Sequence, residues 1–431
     1  MTDHRRPSID GRGPGIDLFD DPPWDSRPDR RRTALTWLGH AAFVGLLVLL
    51  ALLGLLVVIA VVSFVALIRG LHFDIGPIDV TPPPPSTSAM DIVVSTDGTR
   101  AYLTEPNNDA LLVLDTATGR LLASIGVGSD PSGLALSPDG SQVWVVDTTL
   151  SSPGGLLPTG SSGTGSVSVV STSTDGVIGT VDVGDGPIDV AFSPDGRTAY
   201  VTDNGFLGPG SVSVVDTATL GVVRTLAMPV QTSSSGSNPT SVAVSPDGKN
   251  VWVSEVSDLG ATMGVAGATG TADSVSVFSA ATGAPVATIP VGAGPFFLAL
   301  SRDGRDAYVA DKLSCDVREI DTASFRVVGT VRWPVSAGCP FGLAPGPFDG
   351  VVYTVTGSDH SLNEPYAGRS FGAVDFATGQ ARVAAHVGRD PVTVALSPDA
   401  TTAYVVDADR LVVELVDPAD GTLKGTFTVP D

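Results

Sequence analysis

Between residue 90 and the C-terminus one unit recurs seven times at a period of roughly 40–56 residues. Ahead of it, 35 residues from Ala34 to Ile68 pass without a charged side chain. Together these predict an all-β, seven-bladed β-propeller of four-stranded antiparallel blades, preceded by one transmembrane α-helix. The domain boundaries follow: a tail over 1–32, the transmembrane helix over 33–69, a Pro-rich linker over 70–89 and the propeller over 90–431.

Each unit opens with an apolar strand that ends in a Ser-Pro-Asp-Gly turn. That word stands at 137–140, 193–196 and 245–248, and varies to STDG at 95–98, SRDG at 301–304, a bare DG at 349–350 and SPDA at 397–400. Pro at the second turn position and Gly at the fourth suit a type I turn. A second strand ends in Tyr-Val-x-Asp or a variant of it, and a third reads Val-Ser-Val-Val-Asp-Thr-Ala-Thr-Gly in its fullest form. The turn after the third strand, Asp115–Gly119 or Asp375–Gly379, pairs an Asp that bonds its own backbone with a Gly for the left-handed position. In the third unit the four strands, A to D, are read as Ile188–Ser193, Ala199–Asp203, Ser211–Asp216 and Val222–Met228. All seven sets of strands fit between residues 90 and 429, so the ring has no need to exchange a strand between its termini.

The N-terminal segments are read from composition. Residues 1–32 are rich in Arg, Asp, Pro and Gly, the composition of a disordered tail. The apolar run is too long for a cleaved signal peptide and lacks a small-x-small cleavage site, so it reads as an uncleaved anchor. Arg27, Arg30, Arg31 and Arg32 precede it and only Arg69 follows closely. The positive-inside rule then leaves the N-terminus in the cytoplasm and the propeller outside a plasma membrane crossed once through residues 34–68. Pro82–Pro85 in the linker favour an extended spacer of about 3.1 Å per residue.

Charge narrows the partners. Residues 1–89 balance 8 Arg against 9 Asp, whereas 90–431 hold 16 Lys and Arg against 37 Asp and Glu, a net −21. Such a body repels nucleic acid and anionic headgroups, and no nucleic-acid partner is expected. Two cysteines exclude a disulfide-built scaffold and a four-cysteine metal site. Cys315 and Cys339 fall on one face of one blade in an exported region, which predicts a disulfide. No CxxCH, HExxH, GxSxG, phosphate-binding Gly-rich loop or EF-hand loop occurs, and residues 90–431 hold two histidines, His360 and His386.

The repeat words closely resemble those of the YVTN-repeat β-propellers, a branch of the surface-layer and lactonase-like seven-bladed propellers. The resemblance covers about 340 residues and rests on Tyr-Val-Thr-Asp, Val-Ser-Val-Val-Asp-Thr-Ala-Thr, Val-Gly-x-Gly-Pro and Ser-Pro-Asp-Gly. It implies the fold. It leaves open exported binding or surface proteins, lactonase-like hydrolysis and non-covalent haem d1-type cofactor binding. This chain departs from the family word where the name-giving Asn would stand. Six units carry an acid there (Glu105, Asp147, Asp203, Glu255, Asp311 and Asp407) and unit six has Thr356.

Candidate sites follow from loop position. The B–C loops and D–A links leave the same face, where long loops on a rigid scaffold tend to carry binding residues. The unit-six loop gathers Asp359, His360, Asn363, Glu364, Tyr366 and Arg369, with His386 closing strand D of the same unit. Asp359, His360, Glu364, Arg369 and His386 form the candidate ligand-binding set. The six strand-B acids are either structural acceptors for nearby backbone N–H groups or a ring for a cation such as Ca²⁺. No cofactor is expected, a divalent cation stays open, and no residue is assigned a catalytic role. The resulting expectation is a membrane-anchored extracytoplasmic binding or scaffolding module, more an interaction protein than an enzyme, with a protein or small-molecule ligand on the loop face. The alternative is a lactonase-like hydrolase or a non-covalent cofactor-binding propeller working from that same face.

Overall fold

The computed structural model describes residues 91–148, 164–205, 209–229, 237–257, 273–357, 369–408 and 410–429. Two units divide the chain, Met1–Thr81 and Pro82–Asp431, and every described residue belongs to the second. The apolar run 34–68, the tail and the linker lie outside the described residues. Among those described, no helix is long and apolar enough to cross a membrane.

Among the described residues, twenty-eight strands form seven antiparallel sheets, each made of four consecutive strands in chain order. Blades 1 to 7 span 92–126, 131–185, 187–227, 238–290, 295–332, 343–386 and 391–428. The sequence boundaries hold closely: in blade 3 the strands run Pro187–Phe192, Thr198–Asp203, Ser211–Asp216 and Gly221–Ala227. Among the described residues no terminal strand belongs to another blade's sheet.

Val-, Tyr- and Trp-rich segments suit pleated strands packed on both faces. Strand B is buried along almost its whole length, as at Thr198–Asp203, and so is strand C in most blades, as at Ser211–Asp216, whereas strand D is mostly exposed. Seven apolar cores result, one per interface between neighbouring blades. The interface of blade 7 with blade 1 is built like the others: Leu103, Leu112 and Leu114 pack against Tyr404, Val413 and Phe427. Thr393 Oγ1 also donates to Asp91 Oδ1 across that seam, at 3.1 Å.

The A–B turns close by a repeated hydrogen-bond set. The Ser hydroxyl donates to the turn Asp, as Ser95 does to Asp97 at 2.6 Å, and accepts from the backbone N–H of Arg100 at 2.9 Å. The turn Gly donates its N–H to the Ser carbonyl, and Gly98, Gly140, Gly196, Gly248 and Gly304 adopt φ of +68° to +72°. That backbone conformation strains any residue with a Cβ. Cys315 and Cys339 are disulfide-bonded, joining the start of strand C in blade 5 to the link that leaves that blade.

Leu103 and Leu111 are both fully buried in blade 1, one facing blade 7 and the other blade 2. Truncation of either to Ala is expected to cost about 2–5 kcal/mol, and by similar amounts. Urea denaturation of the full chain checks this. A much smaller loss for Leu103→Ala would mean that the closing interface is a weak seam.

Candidate functional site

The six strand-B acids are at most 4% exposed, too deep to form an open ring on the surface. Each sits where strand B ends and meets donors close by. Asp203 accepts from Ser211 and Ser213 on strand C, at 3.0 and 2.7 Å, and from the N–H of Gly184 at 2.9 Å. Gly184 belongs to the segment arriving from blade 2. Asp147 accepts from Ser166 and Ser168, Asp311 from Gly292, and Asp407 from Arg389 and Asp390. Glu255 accepts from Ser237, Ser274 and Ser276, and Glu105 from Asn108. Among the described residues no three His, Cys, Asp or Glu side chains group as a metal set.

The choice of acid tracks the incoming link. Where a Val-Gly pair closes strand D, at Gly128, Gly184, Gly292 and Gly388, the next blade ends strand B in Asp. A Cβ on these glycines would stand 2.4 Å from Asp147 Cγ or Asp203 Cγ, 2.5 Å from Asp311 Oδ2, or 2.8 Å from Asp407 Oδ2. The carboxylate occupies the place a side chain would take. Blade 4 follows a link without Val-Gly, and the longer Glu255 reaches across to Ser237 instead. In blade 6, Thr356 donates to the Ala337 carbonyl of its link at 2.6 Å. Burial pushes the Asp147 and Asp203 carboxyls up to about 6, against serine donors that favour the charged form. Burial also pushes Asp311 up, against the pull of Arg318, whose Nε lies 3.0 Å from Oδ2.

Asp359, His360 and Glu364 of the unit-six loop lie outside the described residues. Arg369 and His386 are brought together in a cleft of about 470 Å³ between blades 6 and 7, with Arg410 and Glu414. The Ser370 hydroxyl beside them is buried and has no partner among the described residues. Its counterparts Ser166, Ser211 and Ser274 bond the strand-B acid, which Thr356 replaces here. His386 is exposed at the end of the outermost strand, so this cleft is separate from the axis.

A second space lies on the axis, lined by residues outside the candidate set read from the sequence. All seven blades contribute to a chamber of about 260 Å³, each through its strand A or a residue one or two positions before it, and Thr148 joins them from a B–C loop. One side carries Asp91 of blade 1 and Asp189 of blade 3; Phe296, Phe297 and Phe341 of blades 5 and 6 line the opposite side. Phe341 packs 5.2 Å from each of the other two rings, centroid to centroid. Lys312 Nζ sits 4.9 and 5.5 Å from the Phe341 and Phe296 centroids, a cation–π contact.

The two carboxylates are held alike. Asp91 accepts from the N–H of Leu134 in blade 2, at 3.2 Å, and Asp189 from the N–H of Val242 in blade 4, at 3.0 Å. Both face the chamber yet lie deep in protein, so burial raises both acids. The negative charge of Asp189 adds to the effect on Asp91, which is pushed up to about 7. The available signal was an acid in the otherwise uncharged opening of strand A, at Asp91-Ile-Val-Val and Ile-Asp189-Val.

Two predictions follow from these acids. Raised acids such as Asp91, Asp147 and Asp203 contribute stability that is fully present below about pH 4 and lost as pH rises through about 6 to 7. Turn acids Asp97, Asp139 and Asp247 are held down to about 2 by hydroxyl and amide donors, so their contribution is lost as pH falls through that value. The melting temperature is therefore expected to peak near pH 4–5 and fall toward pH 8, more gently in Asp91→Asn. A steady rise from pH 5 to 8 in scanning calorimetry would refute the assignment. Gly184→Ala is expected to cost about 1–3 kcal/mol. The loss should shrink in an Asp203→Ser background, as a double-mutant cycle would show.

No family model matches the chain, and no curated relative matches it. Among solved structures it is similar to hydrazine synthase of Kuenenia stuttgartiensis, with a TM-score of 0.61 and 21% identity. The match covers 80% of this chain and 100% of that one. At that identity the likeness concerns the propeller fold alone.

Proposed function

We propose that the chain is a membrane-anchored, extracytoplasmic binding module of the YVTN-repeat, lactonase-like kind, and that its propeller takes a small ligand into the axial chamber. The apolar run 34–68, the arginines before it and the Pro-rich linker support the anchor and its orientation. The observation that carries the binding reading is the chamber itself. It sets apolar rings against a few convergent polar groups, the usual make-up of a ligand pocket.

A hydrolytic reading has one observation in its favour. Asp91, raised beside Asp189, has the like-charge arrangement of an acid–base pair. Both carboxylates, however, accept backbone N–H groups of neighbouring blades, which fixes them as clasps and favours holding a ligand over turning it over. The binding reading requires no cofactor.

Native mass spectrometry of the full chain, taken from host membranes into detergent micelles, tests the proposal. The parent should carry a small-molecule adduct that is missing from Val392→Trp, whose indole would fill the chamber. Identical adduct spectra for the two proteins would refute the chamber as the site, and a bound divalent cation would register in the same measurement. In inside-out membrane vesicles the propeller should resist added protease; digestion would refute the orientation.

A further inference from the structure

We infer that the axial chamber selects a small organic cation, an ammonium carried on an aromatic or branched apolar body. The ammonium would lie against Asp91 and Asp189, and the body against Phe297 and its neighbouring rings. This inference rests on the chamber reading above and adds the ligand class to it.

The fold does not require the two acids. Their counterparts in the other blades are Gly133, Ser241, Phe297, Gly342 and Thr393, and those blades complete the ring without a carboxylate there. Nor, among the described residues, does either acid have a cationic partner. Among the described residues they meet amide and hydroxyl donors, and Asp91 also feels the charge of Asp189. Two like charges in a low-dielectric bore are costly without a counter-charge, and a cationic ligand supplies one.

The opposite wall shows how a cation is received. The Lys312 ammonium already rests on Phe296 and Phe341. Because Lys312 holds those ring faces, it repels a second cation there and directs the ligand's charge toward the carboxylates. The apolar body then contacts Phe297, Ile188 and Val392. A bare divalent ion fits poorly, since Ca²⁺ seeks 6–8 oxygens and most of this lining is hydrocarbon. The volume of about 260 Å³ lies just under the range of ordinary ligand pockets, roughly 300–1,000 Å³, which restricts the ligand to a small one. The net −21 of residues 90–431 draws cations toward the propeller.

Isothermal titration of the full chain in nanodiscs tests the inference with phenethylamine, isoamylamine, the two corresponding alcohols and phenylacetate. At least one amine should bind the parent protein at least about tenfold more tightly than its alcohol. That comparison needs no variant. Asp189→Asn, or Asp91→Asn if the first fails to fold, should reduce the preference to under about twofold. Cation selectivity is overturned if no amine binds more tightly than about 10 mM, or if the alcohols or phenylacetate bind as well. In that case, probe binding that Val392→Trp abolishes still supports the chamber, whereas binding that ignores Val392→Trp overturns both.

Discussion

Strand B of every blade is buried on both faces, with much of strand C beside it, so one blade alone would leave both faces of an apolar sheet in water. That constraint organises the molecule. Each sheet gains its core only from a neighbour, and seven interfaces supply seven cores. A ring satisfies the last blade with the first, which explains why the contacts of Leu103 and Phe427 matter as much as any within the series. It also explains why the chain can dispense with strand exchange. The seam between blades 7 and 1 buries the same kind of surface as the others and adds the Thr393–Asp91 hydrogen bond.

Packing alone would let neighbouring blades slide, and the buried strand-B acids oppose that. The carboxylate of one blade lies under the glycine of the link that reaches it, so the link's backbone and the next blade's strand are locked in one register. Asp accompanies Val-Gly, Glu255 accompanies a longer link, and Thr356 accompanies the link that carries Cys339. The same logic accounts for the orphaned hydroxyl of Ser370. With Thr356 where the other blades have an acid, the serine on strand C has no acceptor among the described residues.

Much of this could be read from the residues. The turn words mark the blade count, because Gly at a positive φ and a Ser-Asp hydrogen bond depend only on neighbours in sequence. Strand limits in blade 3 shift by about one residue between sequence and structure. The chamber was a different problem. Its residues come in ones and twos from each blade, roughly 50 positions apart, and meet only when all seven strands A are placed around an axis. Asp91 and Asp189 stand out only after their counterparts, from Gly133 to Thr393, are aligned to the same depth. Arg369 and His386 converge with Arg410 because blade 7 packs beside blade 6, a contact that the local sequence of unit six does not encode.

The acids of this propeller therefore divide by what holds them. Turn acids stay exposed and charged, with donors from their own loop, and strand-B acids are buried beneath an adjoining link. Both classes recur around the ring and answer to the repeat. Asp91 and Asp189 share the chemistry of the second class, since each accepts a neighbour's N–H, yet they occur in two blades of seven at a position the fold fills equally well with Gly, Ser, Phe or Thr. A requirement of the repeat would have appeared more often. Retaining two like charges within one bore, opposite a wall of three phenyl rings, opposes folding at neutral pH. A ligand that brings positive charge removes that opposition, so the instability of the empty chamber and its affinity for a cation have the same physical source.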